Sequence, residues 1–443
     1  MNKNAQTLLK HLLIEDPEVD QRIETGIEEN RKGWGHILLV DDQGNSVPAA
    51  TVSLQQTGHE FDFGCNAFLL QQLPEAAKNA LYEERFSDLF NLAVVPFYWR
   101  DLEPRQGQTR FDADSKFIYR RPPPDLVLDF CKRHNIKPKG HPLLWHLFRP
   151  DWLSVEETDM RKSIRTRFEK IAERYRDQIP VWDVCNEAQT FIHGDPSSHL
   201  PANHVEFAFE LAAEYFPDCV KTYNDDRVWY KNYGTYSPVY LLMKFLQERN
   251  HKVDALGLQF HMFENNIQDA VHYLNRRNLL NCLDLYGRLN VPINFSEVSV
   301  ISRRDLGDGD AFQDLVTEKL YRLWFSHAAV NGIVWWNLVD NTAAYAPLGD
   351  ETVGENRLRA GLLNYDMSPK PAYKTLMNLI HTEWKTAATL EYTEGAPNSF
   401  KGFYGDYEVD IETGNGKTSH QIHLGTDNLN KFTLTGCGSE VVK

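Results

Sequence analysis

Two glutamates, Glu187 and Glu297, stand where a pair of carboxylates can act on one bond. Each lies at the end of a short apolar run, residues 181–186 and 293–298, with the pattern of a buried strand. Cleavage of a glycosidic bond requires two carboxyl groups facing one linkage, one protonated as an acid and the other ionised as a nucleophile or base. Their surroundings must then hold the pKa values of the two groups apart.

Neighbouring runs also end in polar and aromatic residues. A single such residue is typical of a cap or of a satisfied core polar group, but six strands with polar ends are hard to explain by packing. Asn186 is a candidate for holding a sugar hydroxyl or orienting a carboxylate, and Gln259 and His261 for hydrogen bonds to the two glutamates. Further candidates for substrate contact, among them tryptophans with flat faces for sugar rings, are His141, Trp145, Trp335 and Trp336.

The elements that position these residues are eight short β-like runs alternating with helical stretches. The runs span residues 61–68, 92–99, 137–145, 181–186, 221–224, 255–261, 293–298 and 332–338. One helical stretch, 154–176, is predicted to start with a capping box of Ser154 and Glu157. This alternation favours an α/β fold, a closed (β/α)8 TIM barrel, in which the carboxyl ends of all strands meet at one rim. An open doubly wound sheet is the rival, but the chain lacks its glycine-rich phosphate loop.

The two ends of the chain have a different pattern. A charged helix is predicted over residues 17–32, with Asp16 as its cap, followed by strands at 36–40 and 47–55. The last residues read as short strands separated by glycine-rich turns, at 400–403, 407–411, 420–424 and 432–434. We therefore expect residues 1–58 to pack with the C-terminal β-rich segment 386–443 as a small accessory unit, and residues 59–385 to form the barrel.

The composition argues against nucleic acid and membranes as binding partners. The net charge of -15 over 443 residues argues against nucleic acid, which is bound by Lys and Arg patches. No apolar run approaches the roughly 18 residues of a spanning helix, so we expect no membrane partner. No metal-ligand motif stands out and no cofactor is expected, while the oligomeric state stays open.

The cysteines and the start of the chain bear on the compartment. The six cysteines lack C-x-x-C spacing and are expected to be free buried thiols; they are Cys65, Cys131, Cys185, Cys219, Cys282 and Cys437. Residues 1–20 contain no signal-peptide core. The sequence as written is thus expected to be cytoplasmic, or secreted if a signal segment is missing from it.

Several segments resemble glycoside hydrolase family 10, the retaining endo-β-1,4-xylanases. Residues 182–188 read WDVCNEA, similar to the family's acid/base segment, and residues 296–300 read SEVSV, similar to its nucleophile segment. Further matches lie at 140–146, 256–261, 361–363 and 369–373, and the resemblance covers about residues 20 to 384. It implies a TIM barrel, a polysaccharide or oligosaccharide substrate, Glu187 as general acid/base and Glu297 as nucleophile in a double displacement.

The resemblance fails at the end of the second strand. The family usually has E-N-x-x-K-W there, and its Asn and Lys hold sugar on the non-reducing side of the cleaved bond. Here residues 94–99 read VVPFYW, so that Trp99 is kept while Tyr98 replaces the Lys and Val95 the Asn. The loss of a charge-assisted donor predicts altered specificity, for a decorated or mixed-linkage polymer, a short oligosaccharide or an aryl glycoside, unless nearby loops replace the lost groups. Tyr98 and Trp99 remain candidates for substrate contact.

Two other functions stay open at this point. One is a retaining β-glycosidase of the same group of barrels that acts on another β-glycan. The other is a non-catalytic carbohydrate-binding protein, which predicts the loss of Glu187 or Glu297, yet both are present.

Overall fold

The structure, a computed structural model, describes residues 1–192, 195, 199–226, 228–229, 233–263, 273–426 and 428–436. The chain divides into two compact units. One comprises Met1–Val19 and Phe63–Thr375, and the other comprises Asp20–Asp62 and Leu376–Lys443. The domain boundaries inferred from the sequence stay predictions. The observed units differ from these boundaries at the N-terminus, because residues 1–19 belong to the first unit. There Asn2 donates hydrogen bonds to the carbonyls of Leu306 (3.2 Å) and Asp305 (2.7 Å).

The first unit is a closed barrel of parallel strands, as predicted. Its strands are Asp62–Asn66, Leu92–Pro96, Lys137–His141 with its continuation Leu144–Trp145, Val181–Asn186, Val220–Asp225, Ala255–His261, Ile293–Ser299 and Val330–Trp335. Successive strands are neighbours, and the eighth returns beside the first. The strands carry few exposed residues, as expected for a parallel sheet covered on both faces.

Helices connect the strands and cover the barrel. In the part of the chain described here the α-helices are Lys3–Leu9, Pro17–Asn30, Ala76–Leu89, Trp99–Leu102, Pro124–His134, Glu157–Tyr175, His204–Tyr215, Pro238–Glu248, Arg276–Gly287, Gly309–Ser326 and Pro371–Asn378. The predicted capping box is wrong. The helix begins at Glu157, and the Ser154 hydroxyl instead accepts a hydrogen bond from the Glu156 backbone at 3.1 Å, forming a local turn ahead of the helix. None of these helices is long and apolar enough to cross a membrane.

The second unit is β-rich and is formed by both ends of the chain, as predicted. One antiparallel sheet has the order Ala387–Thr393, Ala49–His59, Gly405–Thr413 and Gly416–Leu424. A second sheet places Lys32–Val40 between Ser399–Phe403 and Lys431–Thr435. Alternate residues of these strands form a shared core that includes Val52, Leu54, Tyr407, Val409 and Ile411.

The described cysteines are buried thiols without disulfide bonds, as expected: Cys65, Cys131, Cys185, Cys219 and Cys282. Cys437 lies outside the described residues.

Candidate active site

The polar strand ends meet around a cavity of about 380 Å³ at the carboxyl end of the barrel. Most of the residues predicted from the sequence line it: Tyr98, His141, Trp145, Asn186, Glu187, Gln259, His261, Trp336 and Glu297. Residues from six different strand ends therefore converge on one site, as the barrel topology requires.

Two of the predicted residues lie outside this lining. Trp335 is fully buried, and its indole nitrogen donates to the Asn337 and Ala360 carbonyls at 3.1 and 3.0 Å. Successive side chains of an extended chain point to opposite faces, so Trp336 faces the cavity and Trp335 does not. Trp99 begins a short helix, and its indole nitrogen donates to Glu103 at 3.0 Å. The prediction that Trp99 and Trp335 contact substrate is therefore not supported by their positions.

Glu187 follows the fourth strand in a tight turn. Its backbone φ of 52° lies in the left-handed region, which non-glycine residues adopt at a cost of about 1–2 kcal/mol. The turn is fixed from the adjacent strand, because the Glu187 amide donates to the Asn224 carbonyl at 2.8 Å. The half-buried side chain accepts a hydrogen bond at Oε1 from Gln259 Nε2 at 3.0 Å. Strain held at such a position is typical of functional sites.

Glu297 lies within the seventh strand and is only 4% exposed. A shift of strand register just before it brings it opposite Gln259 of the sixth strand. Its Oε1 accepts hydrogen bonds from Asn224 Nδ2 and Gln259 Nε2, each at 3.0 Å, and its Oε2 lies 3.1 Å from His261 Nε2. The carboxylate is thus held by donors on two neighbouring strand ends, and Asn224 also donates to Asn186 at 2.7 Å.

The hydrogen bonds of the Gln259 amide nitrogen limit the distance between the two carboxylates. Each Oε1 lies 3.0 Å from this nitrogen, so the two oxygens are at most ~6 Å apart. An amide has two N–H bonds spread by roughly 120°, and one bond to each carboxylate corresponds to about 5 Å between the oxygens.

Burial raises the pKa of both carboxyls. The pKa of Glu187 is raised to about 8, first by burial and then by the negative charge of Glu297. Burial also raises the pKa of Glu297, to about 7, but His141 and the Asn224 hydrogen bond act in the opposite direction. The proton shared by the pair is therefore favoured on Glu187.

The ring of His261 is held neutral beside Glu297, because burial lowers its pKa to about 4. Its Nδ1 lies 3.0 Å from the Ser299 hydroxyl. A neutral imidazole has one donor and one acceptor, and an ionised carboxylate only accepts. His261 therefore donates from Nε2 to Glu297 and accepts at Nδ1 from Ser299.

A series of buried ionic contacts runs from Lys139 through Asp183 and His141 to Glu297. Lys139 Nζ is 3.0 Å from Asp183 Oδ1, and His141 Nδ1 is 2.8 Å from Asp183 Oδ2. His141 Nε2 lies 3.9 Å from Glu297, and none of these side chains is more than 5% exposed. Burial by itself raises the pKa of Asp183, but Lys139 and His141 together hold it below its ordinary value. Lys139 was not predicted to take part in the site, although a lysine inside a buried strand is itself a signal.

Replacing Lys139 with methionine leaves Asp183 buried without its cation. We expect the free energy of unfolding to fall by about 3–5 kcal/mol, because an uncompensated buried charge is strongly destabilising. Urea denaturation followed by tryptophan fluorescence measures this. The matched control is Lys139→Met combined with Asp183→Leu, which removes both charges and is expected to regain most of the loss. Equal destabilisation by the single and the double variant would contradict the account.

An aromatic wall borders the cavity at the end of the second strand. It consists of Tyr98, Phe68, Trp145, Phe148 and Trp336. The ring of Tyr98 lies 5.1 Å from that of Phe148 and 5.7 Å from those of Phe68 and Trp145, measured between centroids. Tyr98 is only 5% exposed, so the position predicted to have lost its lysine is filled by packed rings. Phe68 was not predicted, since no local pattern marks an aromatic residue as facing a distant one.

No group of three or more His, Cys, Asp or Glu residues is placed to hold a metal ion in the described part of the chain. The site therefore consists of two paired carboxyls, their amide and imidazole donors, and an aromatic wall.

The fold and the paired carboxyls define the class, a (β/α)8 barrel with the site architecture of a glycoside hydrolase. The sequence model of Glycosyl hydrolase family 10 matches residues 72–379, and the chain belongs to this family. The anti-sigma-I factor RsgI6 of Acetivibrio thermocellus is 26% identical over 417 residues, which are 92% of this chain and 48% of that protein. Endo-1,4-beta-xylanase B of Neocallimastix patriciarum is 26% identical over 288 residues, 59% of this chain and 30% of that protein. The chain thus spans less than half the length of these two relatives.

A solved structure shows the same fold. Xylanase 10B from Thermotoga petrophila RKU-1, in complex with xylobiose, superimposes with a TM-score of 0.56 at 21% identity. The superposition covers 73% of this chain and 95% of that one.

Proposed function

We propose that this chain is a retaining glycoside hydrolase that cleaves β-1,4-linked xylan, or a related decorated xylan, by double displacement. The observation that supports the proposal is the shared donor Gln259, because two contacts of 3.0 Å to its nitrogen limit the separation of the two carboxylate oxygens to at most ~6 Å. Retaining enzymes have their two carboxyl groups about 5–5.5 Å apart, whereas inverting enzymes keep about 6.5–9.5 Å to admit a water molecule. Membership of the family and the names of the xylanase relatives support the substrate.

The proposed mechanism assigns one role to each carboxyl in each step. Glu297 attacks the anomeric carbon while Glu187 gives its proton to the leaving oxygen, so that the glycosidic bond breaks and a glycosyl ester forms on Glu297. Glu187, now ionised, takes a proton from water, and that water attacks the anomeric carbon and releases Glu297. Two inversions at the same carbon retain its configuration.

The neighbouring residues have positioning roles in this proposal. Asn224 and neutral His261 orient the Glu297 carboxylate through the hydrogen bonds described above. We assign to Asn186, beside Glu187 in the lining, a hydrogen bond to a sugar hydroxyl, and to the half-buried Trp145 and Trp336 stacking against the sugar rings.

The aromatic wall supports a changed specificity. A tyrosine packed among four other rings cannot supply the charge-assisted hydrogen bonds of a lysine. We therefore expect higher turnover on a decorated xylan or another β-glycan than on unbranched xylan, compared as kcat/KM on purified polymers. Higher turnover on unbranched xylan than on every other substrate would contradict this expectation.

A product profile on a panel of plant polysaccharides tests the proposed function, with Glu297→Ala as the blank. Release of xylo-oligosaccharides by the unaltered chain alone is the expected result. Products from a different β-glycan only would favour the second candidate, a retaining β-glycosidase with another substrate, which the aromatic wall also supports. Binding without any product would favour a carbohydrate-binding protein and would contradict the proposal.

A further inference from the structure

Three arginines lie beside the aromatic wall, and two of them pair with the same carboxylate. Arg100 and Arg121 lie 3.2 and 2.9 Å from Asp101, while Arg120 is next to Arg121 in the chain. Asp101 is the only carboxylate within ion-pair distance of any of the three in the part of the chain that is described. This arginine cluster of Arg100, Arg120 and Arg121 therefore has three cations for one anion.

Arg120 and Arg121 both line the cavity, and both are largely removed from solvent. The guanidinium of Arg121 lies 3.9 Å from the ring centroid of Tyr98, and its side chain is 9% exposed. Among the described residues, the other carboxyls lining the cavity besides the catalytic pair are Asp226 and Glu355, and neither is within ion-pair distance of these two arginines. The described residues thus balance the positive charge beside Tyr98 only in part.

Arg120 is the clearest case. It is only 4% exposed, it donates to the Thr342 carbonyl at 3.1 Å and to Asn337 Oδ1 at 2.5 Å, and its buried Nε has no hydrogen-bond partner among the described residues. Its backbone φ of 59° lies in the left-handed region. A buried cation normally has a counterion, because desolvating a charge is costly. A strained residue that holds such a cation at a cavity wall suggests that the counterion arrives with the ligand.

We infer that Arg120 and Arg121 form a binding site for a carboxylate carried by the substrate, on the side of the cavity bordered by Tyr98. This inference rests on the proposed function and names the substrate class, a glycan with an acidic sugar such as a uronic acid. Arginine is suited to this ligand because its planar guanidinium matches the two oxygens of a carboxylate.

Titration calorimetry with the full chain carrying Glu297→Gln tests this, since the ligand is then not consumed. The ligands are xylotetraose, a set of xylotetraoses with one glucuronic acid at each position in turn, and the same set after reduction of the carboxyl to an alcohol. We expect at least one acidic isomer to bind about tenfold more tightly than its reduced form, equivalent to about 1.4 kcal/mol, and 0.5 M salt to diminish the difference. Equal affinities for every acidic and reduced pair would overturn the inference.

Two further variants, each combined with Glu297→Gln, test whether Arg120 binds the carboxylate. Arg120→Gln is expected to abolish the preference, so that the acidic and the reduced form of each isomer bind with equal affinity. The matched control is Arg276→Gln, at a buried arginine outside the cavity that donates to the Ile14 carbonyl at 2.8 Å, and it should retain the preference. Equal weakening of acidic and neutral ligands by Arg120→Gln would instead indicate a role in binding hydroxyls or shaping the wall, and would contradict the inference.

Two more outcomes separate this inference from the proposed function. Free glucuronate binding as tightly as the acidic oligosaccharide would indicate a small-anion site and overturn the glycan assignment. Hydrolysis of xylan without any acid preference would refute only the carboxylate site. An acid preference without hydrolysis of any polysaccharide would refute only the proposed function.

Discussion

Replacing Glu297 with alanine is expected to lower kcat for glycan hydrolysis by at least about 10⁴-fold, the scale on which loss of a covalent nucleophile acts. The reason is that no other carboxyl among the described residues is held by the same three donors. Glu297 alone is held by Asn224, Gln259 and His261 at distances of 3.0 to 3.1 Å. Initial rates on a xylo-oligosaccharide, measured by reducing-end release, give the effect.

The variant also leaves a gap the size of the lost carboxylate. We expect added azide to fill it and to restore cleavage of an activated aryl glycoside, giving a glycosyl azide of inverted configuration. The matched control is Glu355→Ala, which removes another carboxyl from the same cavity lining and is expected to keep activity within about tenfold. A Glu297→Ala variant that retained full activity would show that this residue is not the nucleophile.

Replacing Glu187 with glutamine is expected to lower the rate on unactivated oligosaccharides by about 10²- to 10⁴-fold, the usual contribution of a general acid. Glutamine keeps the size of the side chain but cannot transfer the proton. A substrate with a good leaving group needs little protonation, so glycosyl-ester formation from a dinitrophenyl glycoside should be much less impaired. Pre-steady-state release of dinitrophenol measures this step, and an equal loss on both substrates would contradict the role of Glu187 as the acid.

The pH profile provides a second test of Glu187. The acid must be protonated, so activity is expected to fall as the pH rises through the pKa of about 8. The nucleophile must be ionised, so activity is also expected to fall as the pH drops below about 7, the raised pKa of Glu297. These limits belong to the coupled pair. In Glu187→Gln the fall at high pH should disappear, and its persistence would assign that limit to another group.

Most of the candidate residues predicted from the sequence line one cavity, because a barrel gathers the ends of all its strands at one rim. Gln259 and His261 could be assigned to hydrogen bonds with the glutamates on this basis alone, and these bonds are present in the structure. Trp335 and Trp336 show the limit of this reasoning. Trp335 ends the eighth strand and Trp336 follows it. Only the pleat decides which of the two faces the cavity, and a prediction of the strand end to within two residues cannot make that distinction.

Other parts of the site depend on contacts that no local pattern encodes. Arg120 reaches the cavity from the connection that follows the second strand, more than 200 residues from its hydrogen-bond partner Thr342. Lys139 and Asp183 pair across adjacent strands at a register that the sequence does not state. Residues of this kind are determined by tertiary packing, which is why the specificity of the site was less predictable than its chemistry.

The stereochemistry of the first product tests the central claim most directly. The unaltered chain is incubated with a xylo-oligosaccharide, and proton NMR follows the anomeric signals of the newly formed reducing end before mutarotation equalises them. Carboxylate oxygens at most ~6 Å apart on one amide are closer than the about 6.5–9.5 Å of inverting enzymes, and predict that the β anomer appears first. Initial release of the α anomer would mean inversion, and would contradict the double displacement through Glu297.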